Sequence, residues 1–319
     1  MLARFRHLAI LLALLIIGTA AQAQSENTVP IVVPAGPGSA PDIIARILGD
    51  ELRARLGQPT VIDNKVGAGG IVAVNAARTA ASPNTLLLAQ AAVVTVTPLT
   101  YRSARYDLEQ DMEPVAVIAD TPMLFVANVN SGPRTLADAI ALARSRPNAV
   151  PMTSPSRGSI PNLAAEILAQ ATGTSFNLVP MGTSAQAIQA VTNGDSLISV
   201  DGIAPLLPLV KSGRLRALAV TSSQTLPGLE GLPLARETVP GLEATGWFML
   251  FARKGTPATR VRQINEAVNA ALKSPEVVQR LAATANFPVG GTVDDARAFL
   301  VREKKLWAAA VQRAGLQPE

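Results

Sequence analysis

The stretch Ile31-Val-Val-Pro-Ala-Gly-Pro-Gly-Ser-Ala-Pro-Asp42-Ile-Ile-Ala-Arg46 reads as a buried strand, a Pro/Gly turn and a helix start. Glycine lets the backbone approach a ligand closely, and the unpaired N–H groups of a first helical turn favour negative charge. Gly38, Ser39 and Ala40 are therefore candidates to present N–H groups to an anion, although the same residues would serve in any strand-to-helix turn. Asp42 could meet a ligand amine or hydroxyl; an acid in a first turn also complements the helix dipole, the more common reason for its presence. Beyond it Ile44, Leu48, Leu52 and Leu56 share one helical face, and Gly57 supplies the stop.

Working outward, strand and helix patterns alternate along the chain, which predicts α/β layers around mostly parallel sheets. Strands are expected at Thr28–Val33, Thr60–Asp63, Thr85–Ala89, Val115–Ile118 and Leu124–Ala127, and Thr135 with Asp138 forms a capping box for a helix reaching about Arg144. A second βα series follows from Val150 to Thr221. An aperiodic connection, Thr225 to Leu242, then leads to an apolar strand, Trp247–Ala252, and to helices whose stripes include Val261, Ile264, Val268, Leu272 and, past a Thr292/Asp295 capping box, Leu300 and Trp307.

The segment Thr153-Ser-Pro-Ser-Arg-Gly-Ser-Ile-Pro-Asn162 repeats the plan of the opening stretch: strand, small-residue turn, amphipathic helix. Two such turns face to face would form a cleft. Ser154, Ser156, Gly158 and Ser159 would make the opposing jaw, with Ser159 also able to cap the helix. Arg157 could pair with a second carboxylate, or be an ordinary exposed loop arginine, and Asn162 can both donate and accept. Met181, Gly182 and Thr183 lie in a further βα turn, and Asp201 ends the next strand, where capping of the following helix is the equal alternative. Gly67 to Gly70 lacks the spacing of a phosphate loop and reads as a close-packing turn that could line the cleft.

Composition narrows the function. Arg4 and Arg6, the apolar run Leu8–Ile17 and the small residues to Ala23 have the layout of a signal peptide over residues 1–23. That run is shorter than the roughly 20 residues of a membrane span. There is no cysteine, so neither a lipid anchor nor a disulfide, and the single histidine, His7, lies in the leader. Ser-His-Asp, Cys-His and common zinc chemistry are thereby excluded from the mature chain. We expect no cofactor and no metal. The leader carries two of the basic residues, which lowers the formal charge from +5 to +3 with no basic cluster, so nucleic acid is not an expected partner. A chain of 319 residues exceeds one ordinary core, and two domains are the natural expectation.

An ordered set of motifs resembles the Bug-type extracytoplasmic solute receptors of tripartite tricarboxylate transporters. The matches are Val33-Pro34 with Gly36-Pro37-Gly38 and Asp42-Ile-Ile-Ala-Arg46; Gly57-Gln58-Pro59; Asp63-Asn64-Lys65 with Gly67-Ala68-Gly69-Gly70; Thr85-Leu-Leu-Leu88; Tyr106-Asp107 before Pro114-Val115; Gly213 to Thr221; and Gly255-Thr256-Pro257. The resemblance implies a type II periplasmic-binding-protein fold, with two α/β domains closing over a small ligand. Crossovers would fall near Asp120–Met123 and Gly246–Phe248, giving a discontinuous domain 1 (24–122 and 248–319) and a domain 2 (123–247). It further implies a monomer that binds a small carboxylate through main-chain groups and passes it to membrane transporter subunits. Ser39 stands where the family often has glycine, Asn162 where histidine is common, and Pro180-Met181-Gly182-Thr183 replaces a Pro-Tyr-Lys-Gly-like turn. Ala91-Ala92-Val93-Val94-Thr95 replaces a polar cluster, which suggests a more apolar pocket. A sensing module that docks on a signalling partner, and less favourably an enzyme without His or Cys, are the alternatives.

Overall fold

The computed structural model describes residues 28–318, so the leader read at residues 1–23 lies outside the described residues. The chain opens with β1 (Val29–Val33), α1 (Ala40–Leu56), β2 (Thr60–Asn64), α2 (Ile71–Arg78), β3 (Leu86–Gln90) and the long β4 (Met112–Thr121). It continues with β5 (Met123–Asn128), α3 (Leu136–Ser145), β6 (Pro151–Ser154), α4 (Ile160–Thr172), β7 (Asn177–Pro180), α5 (Ser184–Asn193), β8 (Ile198–Gly202), α6 (Ile203–Lys211) and β9 (Leu215–Val220). It then returns on β10 (Gly246–Arg253) and ends with α7 (Ala258–Leu272), α8 (Pro275–Ala282), β11 (Phe287–Gly290) and α9 (Val293–Arg313).

Two sheets result, one ordered β11-β4-β10-β3-β1-β2 and the other β7-β6-β8-β5-β9. β1 is parallel to β2 and β3, and β6 to β7 and β8, as βα units demand. The remaining pairs, β10 with β3 and β4, β11 with β4, and β5 with β8 and β9, are antiparallel. The sheets are thus mixed rather than mostly parallel. The cause is connectivity: only Pro122 separates β4 in one sheet from β5 in the other, and strands that carry the chain between sheets cannot also be βα crossovers within one.

Helices cover both faces of the parallel half, which is why β1 and β3 are apolar along their length instead of alternating. Val29, Ile31 and Val33 pack toward Ile44, Leu48 and Leu52 of α1, while Val32 turns to the other face with Ala73 and Val74 of α2. Gly57, at φ 66°, closes α1 by donating its N–H to the Arg53 carbonyl. Helix α9 serves two cores. Its Ala296 and Leu300 pack with the first sheet, and its Trp307, Ala310 and Val311 with the second. Midway, Glu303 is 7% exposed and accepts from the indole nitrogens of Trp247 at 2.9 Å and Trp307 at 3.0 Å. Burial pushes its carboxyl up, while the two indoles and Arg302 pull the other way.

Candidate functional site

A cavity of about 590 Å³ opens between the two sheets' loop edges. Its first wall grows from the Gly67–Gly70 turn after β2. Gly67, Ala68, Gly69 and Gly70 all have positive φ (138°, 46°, 61° and 96°), and all four line the cavity. The second wall is the segment after β3, where Ala92–Val96 form a π-helical turn running into a short turn at Thr97–Thr100. Such wide turns are frequent at functional sites. Two bonds lock it in place: Tyr106 donates its hydroxyl to the Val93 carbonyl at 2.6 Å, and Thr97 Oγ1 donates to the Gly69 carbonyl at 2.9 Å. The carbonyls of Gly67, Ala68 and Gly69 are thus all taken, by the Gly70 N–H, the Ile71 N–H and the Thr97 hydroxyl, so these acceptors of the turn are spent.

Opposite lie Ser156, Arg157, Gly158 and Ser159, and the turn after α9 adds Leu316 and Gln317. Arg157 is the one charged side chain among the lining residues, and no carboxylate is present there. Gln90 also faces the cavity, its Oε1 buried without a hydrogen-bond partner. The hydroxyl protons of Thr97 and Thr100 are spent on the Gly69 and Val96 carbonyls, which leaves the Tyr101 hydroxyl and one guanidinium among side chains that are otherwise largely apolar, a lining that favours an anion with an apolar body.

The two turns singled out in the sequence prove to be copies in geometry. Gly38 and Gly158 have φ 80° and 76°, each is followed by an extended serine at the helix N-cap, and each donates its N–H to the residue four ahead. Gly38 donates to Asp42 Oδ2 at 2.8 Å, and Gly158 to Asn162 Oδ1 at 3.0 Å. These N–H groups are consumed within their own turns. Ser39 likewise spends its N–H and its hydroxyl on the Gly36 carbonyl, at 3.3 and 2.6 Å.

Asp42 is 2% exposed and fully engaged, accepting from Gly38, from Arg46 twice and from Asn64. The Arg46 guanidinium, helped by Gly38 and Asn64, holds its carboxyl below the usual range against the effect of burial. Asp42 is a structural brace here, and neither it nor Gly38, Ser39 or Ala40 lines the cavity. Asp42→Ala leaves the Gly38 N–H and the Arg46 guanidinium without their acceptor at a half-buried turn and is expected to cost about 1–3 kcal/mol in denaturant unfolding. Asp42→Asn keeps the acceptor that Asn162 supplies in the second turn and is expected to cost less than half as much. An equal loss for both would overturn the brace.

In the second jaw Ser156, Arg157, Gly158 and Ser159 reach the cavity, whereas Ser154 and Asn162 are buried beneath it, bonded to one another at 3.1 Å. Ser159 caps α4 through Asn162 N. Thr183 caps α5 through Gln186 N at 3.3 Å, Met181 N–H is taken by the Ser154 carbonyl, and neither these nor Gly182 line the cavity. Asp201 is 5% exposed; its Oδ1 accepts from Gly202 N–H, and burial pushes its carboxyl up against the opposing pull of Ser184 and Gly202. It too stands apart from the cavity lining. Gln90, Thr97, Tyr101 and Leu316 carried no signal in the sequence. The Gly67–Gly70 cluster did, as a close-packing turn that could line the cleft, and it lines the cavity.

Among the described residues no group of His, Cys, Asp and Glu is arranged to hold a metal ion, and no helix is long and apolar enough to cross a membrane.

Comparison with known proteins adds the following. The family model described as tripartite tricarboxylate transporter family receptor matches residues 44–316. Protein BugT of Bordetella pertussis is 32% identical over 290 residues, covering 90% of this chain and 89% of that one. Among solved structures, R. palustris Rpa4515 with adipate is 31% identical with a TM-score of 0.73, covering 92% of this chain and 98% of that one. MatC from Rhodopseudomonas palustris with bound malate is 27% identical with a TM-score of 0.68, covering 89% and 98%.

Proposed function

Because the chain belongs to the tripartite tricarboxylate transporter receptor family, we propose that its cleft captures a small organic carboxylate in the periplasm for delivery to membrane transporter subunits. Receptors of this family are solute-binding proteins, and similar structures carry adipate and malate. The observation that carries the reading for this chain is the cavity's electrostatics: one guanidinium, a glycine turn whose carbonyls are already bonded, and no acid among the lining residues. We assign the carboxylate to the Gly67–Gly70 turn and a second acidic group, where the ligand has one, to Arg157. Val66, Val93, Val96 and Leu316 would cover an aliphatic body. The division of the chain at Asp120–Met123 and Gly246–Phe248 gives the two lobes whose approach would enclose the ligand, and residues 1–23 would direct export. Nothing in the site calls for a catalytic step, and the protein acts in this reading as a monomer.

The test is thermal unfolding with a panel of mono-, di- and tricarboxylates. A ligand at 100 times its Kd adds about 2.7 kcal/mol and raises Tm measurably. A flat Tm across the panel would overturn the assignment. Turnover of the bound acid would favour an enzyme instead. Arg157→Ala is expected to weaken a dicarboxylate such as adipate at least tenfold while leaving the matched mono-acid, hexanoate, within about twofold. Equal losses for both would remove Arg157 from the site.

A further inference from the structure

The turn after α9 is bonded on one side to the second jaw and on the other to Arg102, next to the cavity-lining Tyr101. Its helix-closing bonds run from Ala314 N to the Ala310 carbonyl, from Gly315 N to Gln312 and from Leu316 N to Val311. From one side Arg157 donates Nη2 to the Ala314 carbonyl at 2.6 Å. From the other, Arg102 donates Nε to the Pro318 carbonyl at 3.1 Å. Between these two clamps Leu316 and Gln317 project into the cavity wall, and a Cβ at Gly158 would come within 3.1 Å of Leu316 Cδ1. The turn therefore stands where the two lobes meet, on a helix already shared by both cores.

We propose that this turn is a third wall of the ligand site, and that Arg157 is shared between it and the ligand: an entering carboxylate draws Arg157 off the Ala314 carbonyl. The guanidinium now caps the negative end of the α9 dipole through a neutral oxygen. A carboxylate in the cavity offers the guanidinium fork two anionic oxygens, and so a bidentate ion pair, where Ala314 offers a single neutral oxygen. Taking Arg157 releases one of the two clamps, so occupancy of the cavity is reported at residues 314–318, outside the jaws. Leu316 keeps its place by packing on the second lobe's core and continues to cover the ligand's apolar part.

This inference rests on the carboxylate reading of the cavity, and the experiment separates the two. Backbone amide exchange of residues 311–317 is followed by mass spectrometry with and without saturating adipate, alongside Tm. The expected result is a raised Tm with exchange of that segment about tenfold faster. A raised Tm with unchanged or slower exchange would overturn the sharing of Arg157 and leave the binding site standing. A flat Tm with adipate and with the rest of the panel would overturn the site and this inference together. Arg157→Ala without any ligand should by itself accelerate exchange of residues 311–317 about tenfold, and normal protection in that variant would refute the clamp. Leu316→Ala tests the wall: adipate affinity should fall about fivefold, and an unchanged Kd would remove Leu316 from the site.

Discussion

Gly70→Ala is expected to lower the melting temperature by roughly 10 °C and to abolish carboxylate binding. Gly70 sits at φ 96°, a conformation that costs a residue with a side chain about 1–2 kcal/mol. Space is the larger problem. A Cβ there would lie 2.6 Å from Val93 Cγ2, 3.0 Å from Val93 Cγ1 and 3.3 Å from Pro34 Cβ, so the π-helical turn must move. Overpacking of this kind costs about 1–3 kcal/mol, for a total near 2–5 kcal/mol and about 2–4 °C for each. The displacement falls on both cavity walls at once, because Val93 anchors Tyr106 and the neighbouring Gly69 carbonyl anchors Thr97. Calorimetry of the variant checks the loss, and a Tm within 2 °C of the parent would sink the argument. A double-mutant cycle isolates the clash. Val93→Ala removes both offending methyl groups, so Gly70→Ala should cost at least about 1 kcal/mol less in that background, the remainder being the backbone term.

The same turn shows how far the sequence could be read. Strand and helix positions followed from periodicity, and Gly57, Thr135 and Thr292 marked helix ends through chemistry confined to a few neighbouring residues. The copied turns at Gly38 and Gly158 were legible as a pair for the same reason. Their use was not. Whether an N–H faces a ligand or its own helix depends on where Asp42 and Asn162 point, and both turned inward to satisfy the glycine ahead of them. The glycine cluster at 67–70 carried the opposite ambiguity, since its meaning depends on Thr97, a residue 28 positions from Gly69 in sequence. Strand direction was misjudged where no local signal exists. β10 runs antiparallel between β3 and β4 because the chain returns from the second sheet, a fact of connectivity that hydrophobic patterning does not encode. Leu316 was invisible for a related reason: it reaches the cavity only because α9 is long enough to cross both lobes.

The crossover itself carries the second large effect. Asp120 lies at the end of β4, in register with Trp247 of β10 and Phe287 of β11, where the chain is about to leave the first sheet. Burial, reinforced by the negative charge of Glu303 and weakly by Glu243, pushes its carboxyl up to about 7, with Arg302 opposing. Glu303 is itself pushed up by burial, so neither acid relieves the other. The sign is fixed by which state holds the proton more tightly. An acid raised from 3.8 to about 7 in the folded protein is a stronger proton binder there than in the unfolded chain. Stability from this group is therefore greatest below about pH 4 and falls as pH rises toward 7, above which the penalty of a buried charge is complete. The ceiling is about 4 kcal/mol, at 1.36 kcal/mol for each unit. Asp120→Asn removes the charge at little change in volume, so the variant should match the parent near pH 4 and exceed it by as much as about 3 kcal/mol at pH 8. Carboxyls held low, such as Asp42 and Asp295, impose the opposite slope on both proteins and cancel in the difference. Urea unfolding at a series of pH values reads that difference directly. A variant that tracks the parent in parallel from pH 4 to 8 would show that Asp120 stays charged throughout, and that the crossover between the lobes is wetter than its packing indicates.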